Sequence, residues 1–246
     1  MQWTLFQLDD YGPWTTTPQP RREMDLQALQ SRVYATVAGA VDAVDGYVFP
    51  TRWDNMLAVT NGLDREGHER LQTRVRNRFP VSLSCGVGVA ETPADAIADA
   101  TTALQAAGSA QGERREALRG SFGDDTGDLT VAHFDVVDAT GDYTDRYDAY
   151  SAHRAIRQGC DALADDMYDR HDALTFFVGG DNAIAVCPPG TTDFSATIDR
   201  VLERTGTRWR VGVGHGATAR EAGGAAKHAL ETGRERAQAV VEAACD

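Results

Sequence analysis

Val81-Ser82-Leu83-Ser84-Cys85-Gly86-Val87-Gly88-Val89 and Arg208-Trp209-Arg210-Val211-Gly212-Val213-Gly214 are the stretches on which the fold turns. Each is a run of strand character carrying a Gly-Val-Gly triplet, and the triplets stand 126 residues apart. The segments that follow keep this register: Thr92, Asp95, Ala96, Ala100, Ala103 and Leu104 match Thr218, Glu221, Ala222, Ala226, Ala229 and Leu230. Working backwards, Asp54-Asn55 ends an apolar hairpin strand and Asp181-Asn182 does so 127 residues later. Leu8-Asp9 and Phe134-Asp135 lie in two further apolar strands, again 126 apart. Four landmarks in nearly one register predict an internal duplication.

Each half then reads as strand, helix, two hairpin strands, helix, strand, helix. In the first, Leu5 to Leu8 is a strand, and Leu26, Leu29, Val33, Val37, Ala40 and Val44 recur at helical spacing until Gly46. Tyr47 to Thr51 and Met56 to Val59 flank a turn at Arg52-Trp53-Asp54-Asn55, a charged helix covers 64–78, and Thr92-Pro93 opens the last helix. The second half repeats this from Leu129 to Phe134 through a helix bearing Ala149, His153, Ile156, Cys160, Leu163 and Met167, with strands at 173–178, 183–187 and 208–213. The fold class expected is α+β: two tandem ferredoxin-like βαββαβ units with antiparallel sheets. The units are 1–107 and 128–246, joined by a Gly-, Ser- and charge-rich linker at 108–127.

With 246 residues and 42% hydrophobic content the chain can bury real cores, and no apolar run approaches a membrane span. Its net charge of −13 argues against a nucleic-acid binder, which would need surplus cations for phosphates. The first residues, Met1-Gln2-Trp3-Thr4-Leu5-Phe6, carry no secretory pattern, so a cytoplasmic location is expected. Lys227 is the only lysine, and the spread-out acid suits either a high-salt cytoplasm or a modestly acidic mesophile. Cys85, Cys160, Cys187 and Cys245 form no CxxC pair and read as idle thiols. The six histidines show no zinc-ligand spacing.

In a split βαβ unit the end of strand one neighbours the turn of the following hairpin. Asp9 with Asp54, and Asp135 with Asp181, are therefore expected to converge as carboxylate pairs, which a hard divalent cation such as Mg²⁺ or Mn²⁺ would hold together. Taken singly, each aspartate is also ordinary strand-end or turn chemistry. After each strand-one aspartate a short polar loop, 10–15 or 136–142, leads to a helix and offers backbone N–H groups to a triphosphate. Gly12, Thr140 and Gly141 belong to these loops, Gly12 and Gly141 equally as turn residues. Arg21 and Arg22 are either phosphate forks or a solvated helix start. Tyr11 and Trp14 are either base-stacking rings or core aromatics, and Asn55 and Asn182 either orient a water or base edge or bond their own turn.

Gly179-Gly180-Asp181-Asn182 between apolar strands resembles the GGDEF hairpin of diguanylate cyclases, with Asn182 where those enzymes carry Glu. Leu8-Asp9-Asp10-Tyr11-Gly12-Pro13-Trp14-Thr15, Pro20-Arg21-Arg22-Glu23, Ala90-Glu91-Thr92-Pro93 and Gly108-Ser109-Ala110-Gln111 resemble the archaeal GTP cyclohydrolase III family over residues 3 to 236. The resemblance implies a palm-like tandem fold and use of Mg²⁺, two or more ions, held by Asp9, Asp54, Asp135 and Asp181 as catalytic and metal-ligating residues. It implies stimulation by a monovalent cation such as K⁺. The substrate implied is GTP, hydrolysed to 2-amino-5-formylamino-6-(5-phosphoribosylamino)pyrimidin-4(3H)-one and inorganic phosphate on the route to flavins and deazaflavins. A homo-oligomer is expected. Two rival readings are a nucleotidyl cyclase and an inactive GTP-binding regulator. Which half holds the productive site is open: the first has the more distinctive strings, the second the more cyclase-like hairpin.

Overall fold

The structure, a computed structural model, describes residues 1–110, 112, 114–123 and 127–243. Gln111, Cys245 and part of the 108–127 stretch lie outside the described residues. The chain forms two compact units, one from Met1–Glu91 and Asp95–Gly127, the other from Asp128 onward together with Thr92–Ala94. Each is built on a five-stranded sheet.

The first unit runs β1 (Gln2–Leu8), α1 (Tyr11–Thr16), α2 (Glu23–Asp42), β2 (Tyr47–Pro50), β3 (Asn55–Val59), α3 (Arg65–Arg78), β4 (Leu83–Val89), α4 (Pro93–Gln105) and β5 (Leu118–Gly120). Its strand order is β2-β3-β1-β4-β5, with β1 antiparallel to both neighbours. The second unit runs β6 (Leu129–Val136), a π-helical turn (Thr140–Thr144), α5 (Ala149–His171), β7 (Leu174–Gly179), β8 (Asn182–Cys187), α6 (Phe194–Thr205), β9 (Trp209–Gly216), α7 (Ala219–Arg236) and β10 (Val240–Glu242). Its order, β10-β9-β6-β8-β7, is the same arrangement. The mixed α+β, ferredoxin-like expectation holds in both.

Alternation explains the packing. Phe6, Leu8, Met56, Ala58, Leu83, Cys85 and Val87 meet Leu29, Val33, Val37 and Val41 of α2 and Leu71 and Val75 of α3 in one buried core. Phe134, Ala183, Ala185, Val211 and Val213 meet Ile156, Leu163 and Met167 of α5 and Ile198 and Val201 of α6 in the other. The remaining helix of each unit reaches the sheet through the Gly-Val-Gly triplet. A Cβ on Gly88 would lie 1.9 Å from the Ala96 carbonyl, and one on Gly214 would lie 2.2 Å from the Ala226 nitrogen. Only glycine lets these helix backbones lie directly on the strands.

Three expectations are corrected. The sheets are not wholly antiparallel: β5 adds parallel to β4 and β10 parallel to β9. The segment assigned to a linker, 108–127, instead contributes β5 and several side chains to the first unit. The polar stretch after Asp9 is not a loop but the short helix α1. Cys85, Cys160 and Cys187 are buried free thiols, and burial pushes the Cys160 thiol up to about 11, so none is poised as a nucleophile.

Candidate functional site

Register decides which aspartates are equivalent. Gln7 of β1 faces Asn55 and Ser84, whereas Asp135 of β6 faces Asn182 and Arg210. Leu8 N–H donates to the Asp54 carbonyl (2.9 Å) as Val136 N–H donates to that of Asp181 (3.0 Å), and Asp10 and Asp138 share a left-handed φ of 52°. The first strands therefore superpose with a shift of 128 residues, Phe6 on Phe134, and not 126. Asp135 is the counterpart of Gln7, and Asp9 the counterpart of Val137. The expectation that Asp9 and Asp135 are the same residue repeated is overturned by strand pairing.

Each of the four carboxylates has hydrogen-bond partners of its own. The Asp9 side chain is wholly buried and accepts from Ser82 Oγ (2.8 Å), Ser84 Oγ (2.5 Å) and the Glu116 N–H (2.9 Å), with the Arg114 guanidinium 3.7 Å away. Asp54 turns outward and pairs with Arg52 at 3.0 Å. Asp135 is held by Arg234 of α7, whose guanidinium is raised in pKa chiefly by this bond. Asp181 accepts from Asn182 Nδ2 at 2.7 Å. Asn182 in turn accepts from His133 Nε2 at 3.0 Å, and burial lowers the His133 pKa, keeping the ring neutral. The position shared by Gln7 and Asp135 meets an arginine in each unit, Arg114 from the segment after α4 and Arg234 from α7.

Two cavities border the N-terminal half of α2 in the first unit. One, of about 600 Å³, is lined by Trp14, Pro18, Gln19, Pro20, Arg21, Arg22, Asp25, Leu29, Arg32 and Pro80. The other, of about 400 Å³, is lined by Glu23, Gln27, Gln30, Ser31, Arg52 and Trp53. Tyr11 and Trp14 connect them: their rings stack at 6.0 Å, Trp14 borders the first, and the Tyr11 hydroxyl accepts from Gln30, which borders the second. Burial, then the charges of Glu23 and Asp54, raise the Tyr11 pKa. Arg21 lies 4.0 Å over the Trp14 ring and donates to its carbonyl. Gly12 accepts the Thr15 hydroxyl inside α1.

The second unit's loop is more closed upon itself. Gly141 N–H donates to Asp138, Thr140 accepts the Asp145 N–H, and Asp142 pairs with Arg208 at 2.7 Å. The sequence reading brought Tyr11, Trp14, Arg21, Asp54 and Asn55 into one region, but passed over Trp53 as mere turn. It carries a φ of +66°, a left-handed conformation that costs a non-glycine residue roughly 1 kcal/mol. At the matching place in the second hairpin stands Gly180, φ +62°.

A family model described as GTP cyclohydrolase III matches residues 1–245. The chain belongs to the GTP cyclohydrolase III family. It is accordingly an enzyme of that family. It is similar to GTP cyclohydrolase III 1 of Halobacterium salinarum, 55% identical with 95% of this chain and 94% of that protein covered. GTP cyclohydrolase III of Halorubrum lacusprofundi is 52% identical (95% and 92% covered), and that of Methanococcus vannielii 40% (96% and 89%). Among solved structures, the active GGEEF domain of a diguanylate cyclase from Vibrio cholerae matches 48% of this chain and 85% of its own, with 11% identity and a TM-score of 0.40.

Whether this family member can seat a resident magnesium on the four aspartates is answered by their partners. Both Asp9 oxygens are already bonded and a guanidinium stands beside them, Asp135 carries its own arginine, and no cluster of three or more His, Cys, Asp or Glu able to hold a metal occurs among the described residues. A metal held by Asp9 and Asp135 does not fit this arrangement. Asp54, 27% exposed and paired with the exposed Arg52, and Asp181, bonded through one oxygen to Asn182, are the two carboxylates nearer the surface, where a cation brought by a ligand could reach them.

Proposed function

We propose that the protein hydrolyses GTP, opening the imidazole ring of guanine while retaining the formyl group, and that it does so in the first unit. One water adds at C8 and the C8–N9 bond breaks, leaving the formyl on N7. Further waters cleave the phosphoanhydrides, so that both outer phosphates leave as inorganic phosphate and a formylaminopyrimidine 5′-monophosphate remains. The observation that carries this reading is the match to the family over residues 1–245, joined in the first unit to a cavity of about 600 Å³ whose lining includes Arg21, Arg22 and Arg32.

Arg21, Arg22 and Arg32 line that cavity and put positive charge beside a triphosphate, with Arg22 exchanging its Asp25 partner for a phosphate oxygen. Magnesium would come with the GTP triphosphate as counter-charge, and Asp54 would be the first-unit carboxylate to help hold it, on release from Arg52. A monovalent cation such as K⁺ adds counter-charge. The test is turnover of GTP with Mg²⁺ and K⁺ at high salt, following the ultraviolet spectrum and phosphate release, with mass spectrometry of the product. A formylaminopyrimidine monophosphate is expected. A cyclic product, or binding without turnover, overturns the reading.

A further inference from the structure

We infer that Trp53 is the platform on which the guanine base stacks; this rests on the reading of the first unit as the GTP site and deepens it. Trp53 is 43% exposed and forms part of the wall of the 400 Å³ cavity, a size within the ordinary range for small-molecule sites. Its neighbour Tyr34 meets it at 67°, an edge contact and not a parallel stack. Tyr11 and Trp14 stack on each other and Arg21 lies over Trp14, whereas Trp53 is among the large hydrophobic side chains exposed to solvent.

The backbone points the same way. The turn needs a left-handed residue at this position, and the second unit supplies Gly180 there. The first unit instead carries the bulkiest side chain at that φ and leaves 43% of it exposed beside the cavity. A stacking role would use that exposed ring, and every purine offers a π face for it.

The rest of the lining suits a base rather than a phosphate. Arg52 is engaged by Asp54, and Glu23 adds a carboxylate that would repel an anion. Glu23, Gln27 and Gln30 together present acceptors and donors. Guanine shows two adjacent N–H donors and a carbonyl acceptor on one edge, the pattern such a wall can pair.

The experiment compares wild type with Trp53→Gly, which suits the turn, and Trp53→Phe, which keeps a ring. The expected result is a KM for GTP raised about tenfold or more in Trp53→Gly, largely restored in Trp53→Phe. Inhibition by inorganic tripolyphosphate, which has no base, should be unchanged. Equilibrium binding of GMP, followed by quenching of tryptophan fluorescence in wild type and by calorimetry in both proteins, should weaken to the same degree. An unaltered KM and GMP affinity overturn the proposal, as does equal weakening of tripolyphosphate, which would make Trp53 structural. A wild type that binds GMP through Trp53 yet leaves GTP intact would sink the hydrolase reading alone.

Discussion

The β2–β3 and β7–β8 hairpins make the same turn with opposite residues. One holds Trp53 at φ +66°, the other Gly180 at φ +62°. The strand ends differ in the same spirit, for Asp9 is buried against Arg114 where the second unit has Val137, and Asp135 meets Arg234 where the first unit has Gln7. A duplicated fold thus preserves backbone geometry while moving its charges and rings to non-equivalent places. Equivalence in such a chain is settled by hydrogen-bond register, not by which letters match.

The sharpest way to test what the two units share is to attack the glycines they have in common. Gly88→Val and Gly214→Val should each cost roughly 3 kcal/mol or more, because the new side chain drives into a helix backbone. Loss of the cooperative transition in urea, or of soluble protein, is the expected readout, and unaltered unfolding in either would break the shared-packing argument. Next come the strand-end aspartates, where the units should part. Asp9→Asn leaves Arg114 facing a neutral partner in a buried site and should destabilise by roughly 3 kcal/mol. Asp135→Asn should cost only about 1 kcal/mol, since Arg234 is 36% exposed and retains Glu231. Equal losses in the two denaturation curves would erase this asymmetry.

The sequence carried much of this. The Gly-Val-Gly triplets and the alanines after them were legible because close helix-sheet packing demands small residues at fixed spacing. β5 and β10 were not, because three-residue strands are too short to show alternation. α1 hid behind Gly12 and Pro13, residues that lower helix propensity even where Pro serves a first turn. The false equivalence of Asp9 and Asp135 arose because Leu-Asp and Phe-Asp look alike, while the two-residue slip that separates them is visible only in strand pairing. Trp53 was invisible as a site residue because bulky side chains rarely occupy a left-handed turn position.

Two smaller effects refine the division between units. Asp54→Asn should lower kcat for GTP by about a hundredfold with an unchanged Tm, whereas Asp181→Asn should leave turnover near wild type. The reverse pattern would move the site to the second unit. Smallest is the turn itself: Gly180→Ala should lower stability by about 1 kcal/mol, measured by urea denaturation, because a side chain is then forced into the left-handed turn position. An unchanged midpoint would show that both hairpins tolerate a side chain there.

The short strand β5 has a consequence for how the chain is made. Arg114, Glu116 and β5 all follow α4, yet they supply the charge partner and an amide donor of Asp9 and cover one edge of β4. A ribosome that has released only the first hundred residues has produced a sheet with a bare edge and an uncompensated carboxylate at its centre. The first half therefore matures only when the stretch leading into the second has emerged, and any excised version of it must extend at least through Gly123, whose N–H bonds the buried Gln2 side chain.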